Sequence, residues 1–187
     1  MRSTTTTPTL VALGGTHRAR SCSRAVLRYA LDVAQGDGAV VEFIDLGVLD
    51  LPMYRADYAL ADYPADARAA LEHFAAVCRR ADAMLWACPT YHGTVSGLFK
   101  NALDHIELLS EDARPYLSGR AVGLISINDS KTFSAMANAV HELRAWVAPT
   151  HIVLDKRAFD DEMRLSDSSA QRRVERLVRE LLAFTAR

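Results

Sequence analysis

Five short runs of this chain are almost wholly apolar, and the segments between them repeat their apolar residues every three or four positions. The runs lie at 9–14 (TLVALG), 39–46 (AVVEFIDL), 82–88 (DAMLWAC), 120–127 (RAVGLISI) and 150–154 (THIVL). Their length and residue types predict five strands. The helical sets are Val26, Leu27, Ala30, Leu31, Ala34; Ala67, Ala70, Leu71, Phe74, Val77; Val95, Leu98, Phe99, Ala102, Leu103, Ile106; Phe133, Met136, Ala137, Val140, Leu143, Val147; and Val174, Leu177, Val178, Leu181, Leu182. Each set falls on one face of a helix.

Near-continuous apolar strands need cover on both faces, and crossover helices between consecutive strands make those strands parallel. The predicted fold class is therefore α/β, a doubly wound three-layer sandwich around a five-stranded parallel sheet in the order 2-1-3-4-5. Ligands of such sheets bind outside the carboxyl ends of strands 1 and 3. The turns at 14–22 and 88–95 follow those strands and are predicted to meet there. Long connections run over 47–64 and 107–119, and no repeat or low-complexity linker divides the chain. With 187 residues, the expectation is a single domain, 1–187, with residues 1–8 as a disordered tail.

Composition narrows the chemistry. A formal net charge of −1 gives no long-range field toward nucleic acid or anionic lipid, so any anion site is local. The polar start MRSTTTTPT lacks a secretory apolar core, and no later segment has the length of a membrane span. The expectation is a cytoplasmic protein that binds neither nucleic acid nor membrane. Cys22, Cys78 and Cys88 are odd in number and widely spaced, which argues for reduced thiols rather than disulfides or a metal knuckle. His17, His73, His105, His141 and His151 show no metal-ligand spacing, and no metal is expected.

The turn after strand 1 reads Gly14-Gly15-Thr16-His17-Arg18-Ala19-Arg20-Ser21-Cys22-Ser23. A helix's first turn presents unsatisfied N–H groups and a partial positive potential, which suits a phosphate; hydroxyls and an arginine fork add donors. The plainer alternative has Ser21 as an N-cap and the glycines only turning the chain. The turn matches neither GxGxxG nor GxxxxGK[ST]. After strand 3, CPTYHGTVSGLFKNALDHI runs from Cys88 to Ile106. Pro89 is predicted to stop the strand at Cys88, and Thr94 or Ser96 to cap the next helix. A planar aromatic ligand fits against such a loop. Cys88 beside His92 reads as a small buried hydrophobe rather than a nucleophile, since no third group orients the pair. Lys100 and Asp104, four apart, read as a solvent-facing helix pair.

These motifs resemble the NADPH-dependent FMN reductases of flavodoxin-like fold, which include small azo- and quinone reductases. Gly15-Thr16-His17-Arg18-Ala19-Arg20-Ser21 is similar to the family's G-S-x-R-x-x-S. Residues 89–104, PTYHGTVSGLFKNALD, are similar to P-x-Y-N-G-x-x-x-G-x-x-K-N-A-L-D, and LGVLDLPMY to the L-P-x-Y region after strand 2. The resemblance covers most of residues 9–154. It implies hydride transfer from NADPH or NADH through bound FMN to a small acceptor: free flavin, a quinone or an azo compound. Thr16, Arg18, Ser21 and Ser23, with Cys22 between them, would hold the FMN phosphate. Pro89, Thr90, Tyr91, His92 and Gly93 would hold the ribityl chain and ring edge. Arg18 and Arg20 would also be in place to meet the 2′-phosphate of NADPH.

The resemblance further implies a homodimer with the flavin at its interface, to which Met53 and Tyr54 would contribute, and a flavin-dependent monooxygenase as a possible partner for reduced flavin. Two positions depart from it: the family often has Asn at the places of His92 and Ser23. A glycine-rich turn is common after strand 4, where this chain has Ser126-Ile127-Asn128-Asp129-Ser130-Lys131-Thr132-Phe133. Here Asn128 and Ser130 would donate to a flavin carbonyl, and Asp129 is expected to cap the following helix. A non-catalytic flavin-binding electron carrier or partner-binding module is the alternative; the near-zero net charge, without the acidic bias that helps a carrier dock, favours the enzyme.

Overall fold

The computed structural model describes residues 7–186; residues 1–6 of the expected tail lie outside it. Its strands are β1 (Thr9–Gly14), β2 (Val40–Asp45), β3 (Ala83–Pro89), β4 (Ala121–Ile127) and β5 (Trp146–Leu154). The helices are α1 (Cys22–Gly36), α2 (Ala65–Arg80), α3 (Gly97–Asp104), α4 (Thr132–Glu142) and α5 (Ser168–Thr185). The five strands form one parallel sheet in the order β2-β1-β3-β4-β5, as the alternation of elements predicts.

Each central strand is buried on both faces, so its alternate residues belong to opposite cores. Leu10, Ala12, Leu85, Ala87 and Ile125 pack with α1 and α5. Val11, Leu13, Met84, Trp86 and Leu124 pack with α2, α3 and α4. Among the described residues no helix is long and apolar enough to cross a membrane.

Four boundaries differ from the sequence expectation. The fourth helix ends at Glu142 rather than continuing to Val147. Arg144 turns the chain with φ of 61°, and Val147 already belongs to β5, which starts at Trp146 rather than 150. Pro149 masked that start. It is tolerated because β5 is an edge strand whose register slips opposite Gly123, between Val122 and Leu124. Strand β3 includes Pro89, opposite Ile127, because pairing with β1 ends at Ala87 and no β1 partner awaits the missing N–H. The third helix gives way after Asp104 to a 3-10 turn over His105–Leu109, and Ser96 caps it, its Oγ accepting from Phe99 N at 3.2 Å.

Arg120 lies almost wholly buried behind this sheet, 2% exposed. Its guanidinium donates to the carbonyls of Arg79 (2.9 Å), Ala81 (2.8 Å) and Tyr116 (3.1 Å). It thereby satisfies the orphan carbonyls at the C-terminus of α2, where a cation also meets the helix dipole. Burial lowers its pKa to about 10, still charged at neutral pH.

Candidate functional site

The carboxyl ends of β1 and β3 open onto a cleft of about 390 Å³ lined by the turn after each strand. Gly15 starts the first turn with φ of 103°, and a side chain there would overlap the carboxylate of Asp45 at the end of β2. Glycine therefore lets the turn lie against β2. Arg24, in the first full turn of α1, braces the turn from beneath. It donates to Asp45 (Nε–Oδ2 2.6 Å, Nη2–Oδ1 3.2 Å) and to the carbonyls of Thr16 (2.8 Å) and Arg18 (3.1 Å). Both partners of this ion pair are largely buried, which makes its hydrogen-bond geometry strong.

At the helix end, Ser21 is the N-cap and its Oγ accepts from Arg24 N at 3.2 Å. Ser23 is 2% exposed and its hydroxyl lies 3.0 Å from that of Ser21. Capping and anion binding are thus not exclusive: Ser21 uses a lone pair on the helix, while Ser21, Cys22 and Ser23 at that helix start line the cleft. The half-buried thiol of Cys22, the first helical residue, is raised above its ordinary pKa by burial and stays protonated at neutral pH.

The second wall comes from β3. Residues Tyr91 to Thr94 close a tight turn, with Tyr91 N bonding Thr94 O (2.9 Å) and Thr94 N bonding Tyr91 O (3.1 Å). Its central residues, His92 (φ 52°) and Gly93 (φ 86°), both have positive φ, the geometry for which Asn-Gly is the usual choice. His92 stands where that rule expects Asn, and histidine is one of the few side chains that enter this region readily. The third wall is the start of the β4–α4 connection. Asn128 (φ 84°) lines the cleft, and its N–H bonds Leu154 O at 2.8 Å.

Thr16, Arg18, Ser21, Cys22, Ser23, Pro89, Tyr91 and Asn128 therefore share one cleft. Four expected residues do not line it. Thr90 turns its hydroxyl to Asp129 Oδ1 at 3.0 Å; His92 and Gly93 form the exposed tip of the turn; Ser130 accepts from Phe133 N at 3.1 Å through its carbonyl and is exposed. Asp129 does not cap α4. Its carboxylate accepts from Lys131 N at 2.8 Å, closing a local turn, and these bonds hold its pKa below the usual carboxylate range. Ser126, bonded to Thr132 Oγ1 and Asp129 O, ties the same turn to β4. Arg20, expected to meet the cosubstrate phosphate rather than FMN, also lines the cleft, as do Ile127, Lys156 and Met163, to which the sequence assigned no ligand role. Lys156 and Met163 come from the β5–α5 connection, far away in sequence.

A family model for NADPH-dependent FMN reductases matches residues 8–159. The chain belongs to this family. As a member it is an NAD(P)H-dependent oxidoreductase with FMN as its cofactor. It is 28% identical over 185 residues to the NADPH-dependent FMN reductase ArsH of Shigella flexneri, covering 95% of this chain and 68% of that one. It is 28% identical over 148 residues to the NADPH azoreductase of Bacillus sp. strain OY1-2, covering 78% and 76%. Among solved structures, the NAD(P)H:(acceptor) oxidoreductase FerB of Paracoccus denitrificans superposes with a TM-score of 0.71 at 19% identity, over 95% of this chain and 97% of that one. This last likeness speaks for the shared flavodoxin-like fold.

The cleft of this FMN reductase suits the cofactor on its own chemistry. Hydroxyls and first-turn N–H groups gather at one end beside cationic side chains, and a proline, a tyrosine and an amide at the other offer a flat wall with one polar group. Cys88 is not part of it. Burial pushes that thiol up to about 11, and its sulfur accepts from Ser96 N at 3.5 Å, the small buried hydrophobe expected from sequence. His105 is also buried, 1% exposed. Its Nε2 lies 2.8 Å from Pro52 O, which also accepts from Asn101 Nδ2 at 2.9 Å, while Asn101 Oδ1 accepts from Tyr54 N at 2.8 Å. The asparagine and the residue after the aspartate of KNALD thus clamp the β2–α2 connection.

Proposed function

We propose that this cleft holds FMN with its phosphate over the N-terminus of α1 and its ring system against Pro89, Tyr91 and Asn128. The chain then passes a hydride from NAD(P)H to a small electron-deficient acceptor: free flavin, a quinone or an azo compound. The observation that carries the reading is the convergence of Thr16, Arg18, Ser21 and Ser23 with Pro89, Tyr91 and Asn128 in one cleft at the carboxyl ends of β1 and β3. Related chains named as azoreductases support acceptors of that class.

When bound, the flavin supplies the two-electron chemistry, and the protein supplies orientation and electrostatics. The hydroxyls of Ser21 and Ser23 and the first-turn N–H groups fix the phosphate end, and Arg18 adds charge there. Pro89 and Tyr91 keep water from one side of the ring, and Asn128 supplies an amide to its polar edge. The protonated Cys22 thiol acts as a weak donor, not a nucleophile. The protein is read as cytoplasmic and homodimeric. Val48 and Met53, 78% and 76% exposed on the β2–α2 connection, are the apolar surface proposed for the contact.

The test is direct. Apoprotein mixed with FMN turns yellow and oxidises NADPH when an acceptor is added; comparing kcat/KM for a quinone, an azo dye and free FMN ranks the acceptors. A protein that stays colourless and gains no thermal stability from FMN refutes the reading.

A further inference from the structure

The β5–α5 connection, residues 155–167, folds back over the N-terminus of α1 and brings Lys156 and Met163 to the cleft. It is internally knit. Asp160 accepts from Glu162 N (3.0 Å), Arg164 N (2.8 Å) and Arg164 Nε (2.9 Å). Phe159 bridges Leu165, and Ser166 N bonds Ala158 O at 2.9 Å. It is also fastened to the first turn, because Arg20 Nη2 donates to Asp161 O at 2.6 Å. Arg20, one of the two arginines that the sequence offers to a nucleotide phosphate, is engaged as a latch between two walls.

The charges of this connection are distributed unevenly. Arg157 pairs with Asp155 at 2.5 Å, and Arg164 pairs with both Asp160 (2.9 Å) and Glu162 (2.7 Å). Those acids are taken by their own neighbours. Among the described residues Lys156 has no ion pair or hydrogen bond from its ammonium, and neither has the guanidinium of Arg18 across the same cleft. Lys156 is close enough to Cys22, the first residue of α1, for its charge to oppose the effect of burial on that thiol. Two unpaired cations thus border one helix N-terminus whose Ser23 hydroxyl is buried.

We propose that Lys156 is a phosphate-binding residue of the flavin site, closing over the FMN phosphate from the β5–α5 connection while Arg18 meets it from the β1–α1 turn. The proposal rests on the flavin reading above and extends it from the turns after β1, β3 and β4 to the β5–α5 connection. A compact ammonium serves here as a point charge for the phosphate.

Titrating apoprotein with FMN and with riboflavin, by quenching of flavin fluorescence, tests this without turnover. Lys156→Met is expected to weaken FMN binding about tenfold, the loss of one charge-assisted hydrogen bond, and to leave riboflavin binding unchanged. Lys156→Arg restores most of the FMN affinity. Equal FMN affinity in wild type and K156M overturns the proposal, as does an equal loss for FMN and riboflavin, which marks a structural role. A loss confined to binding of NADPH, with NADH and FMN binding unaffected, also overturns it by giving the charge to the cosubstrate. Wild type that binds neither flavin refutes the underlying reading instead.

Discussion

Arg24 and Ser21 do for the first turn what no glycine pattern does alone: they hold its carbonyls and its helix end in place. Arg24→Leu removes five bonds from one guanidinium, two of them to a largely buried carboxylate, and is expected to cost about 2 kcal/mol in urea unfolding. FMN affinity falls with it, because residues 16–19 lose their brace. Ser21→Ala costs about 1 kcal/mol as a lost cap and also lowers FMN affinity; a variant with unchanged FMN affinity returns the residue to capping alone. Arg120→Met tests burial rather than binding. It leaves three carbonyls without their donor and is expected to cost about 3 kcal/mol with no change in the ratio of FMN to riboflavin affinity.

At the scale of elements, the β2–α2 connection is held by side chains from α3 and the turn after it. The His105 ring packs edge-on against Tyr54 and Tyr63, centroids 5.4 and 6.1 Å away, and burial lowers its pKa below the ordinary 6.5. The unfolded chain therefore takes up a proton more readily than the folded one. Stability is full above pH 6.5 and declines as pH falls through 6.5 toward the folded pKa. His105→Gln, which keeps a donor for Pro52 O, is expected to flatten the slope of unfolding free energy between about pH 7 and 5.5. An unchanged slope removes His105 from the account. The same clamp explains why an asparagine on a mid-helix position is almost buried: both ends of its amide are used, on Pro52 O and Tyr54 N.

For the molecule as a whole, the sheet, its four crossover helices and the terminal α5 leave one end, above the carboxyl termini of the strands, to be built by connections. Those connections differ in how tightly they are bound. The first turn is braced to β2, the strand-4 turn to β3 through Thr90 and Asp129, and the β5–α5 connection to the first turn through Arg20 and Asp161. The cleft is thus largely formed in the free protein, so FMN should raise the melting temperature without a large change in far-ultraviolet circular dichroism. Light scattering at micromolar concentration is expected to give a dimer, and Met53→Glu to shift it toward monomer; a monomeric wild type removes the proposed contact.

Hydrophobic periodicity by itself determined the five strands, their helices and the strand order, because each element here buries its apolar positions at its own period and the crossovers are of one hand. The short motifs at 15–21 and 89–104 likewise pointed to the family and to the end of the sheet where the cleft opens. The tertiary structure decided what depends on distant partners. Pro149 hid the start of β5, since only an edge strand shows that a proline costs no ladder bond. Thr90, His92, Gly93 and Ser130 carry the right chemistry, yet local turns and a bond to Asp129 direct them away from the cleft. Lys156 and Met163 gave no local signal at all: they reach the site because β5 lies beside β4 and its following connection folds back over α1, a proximity that chain order does not record.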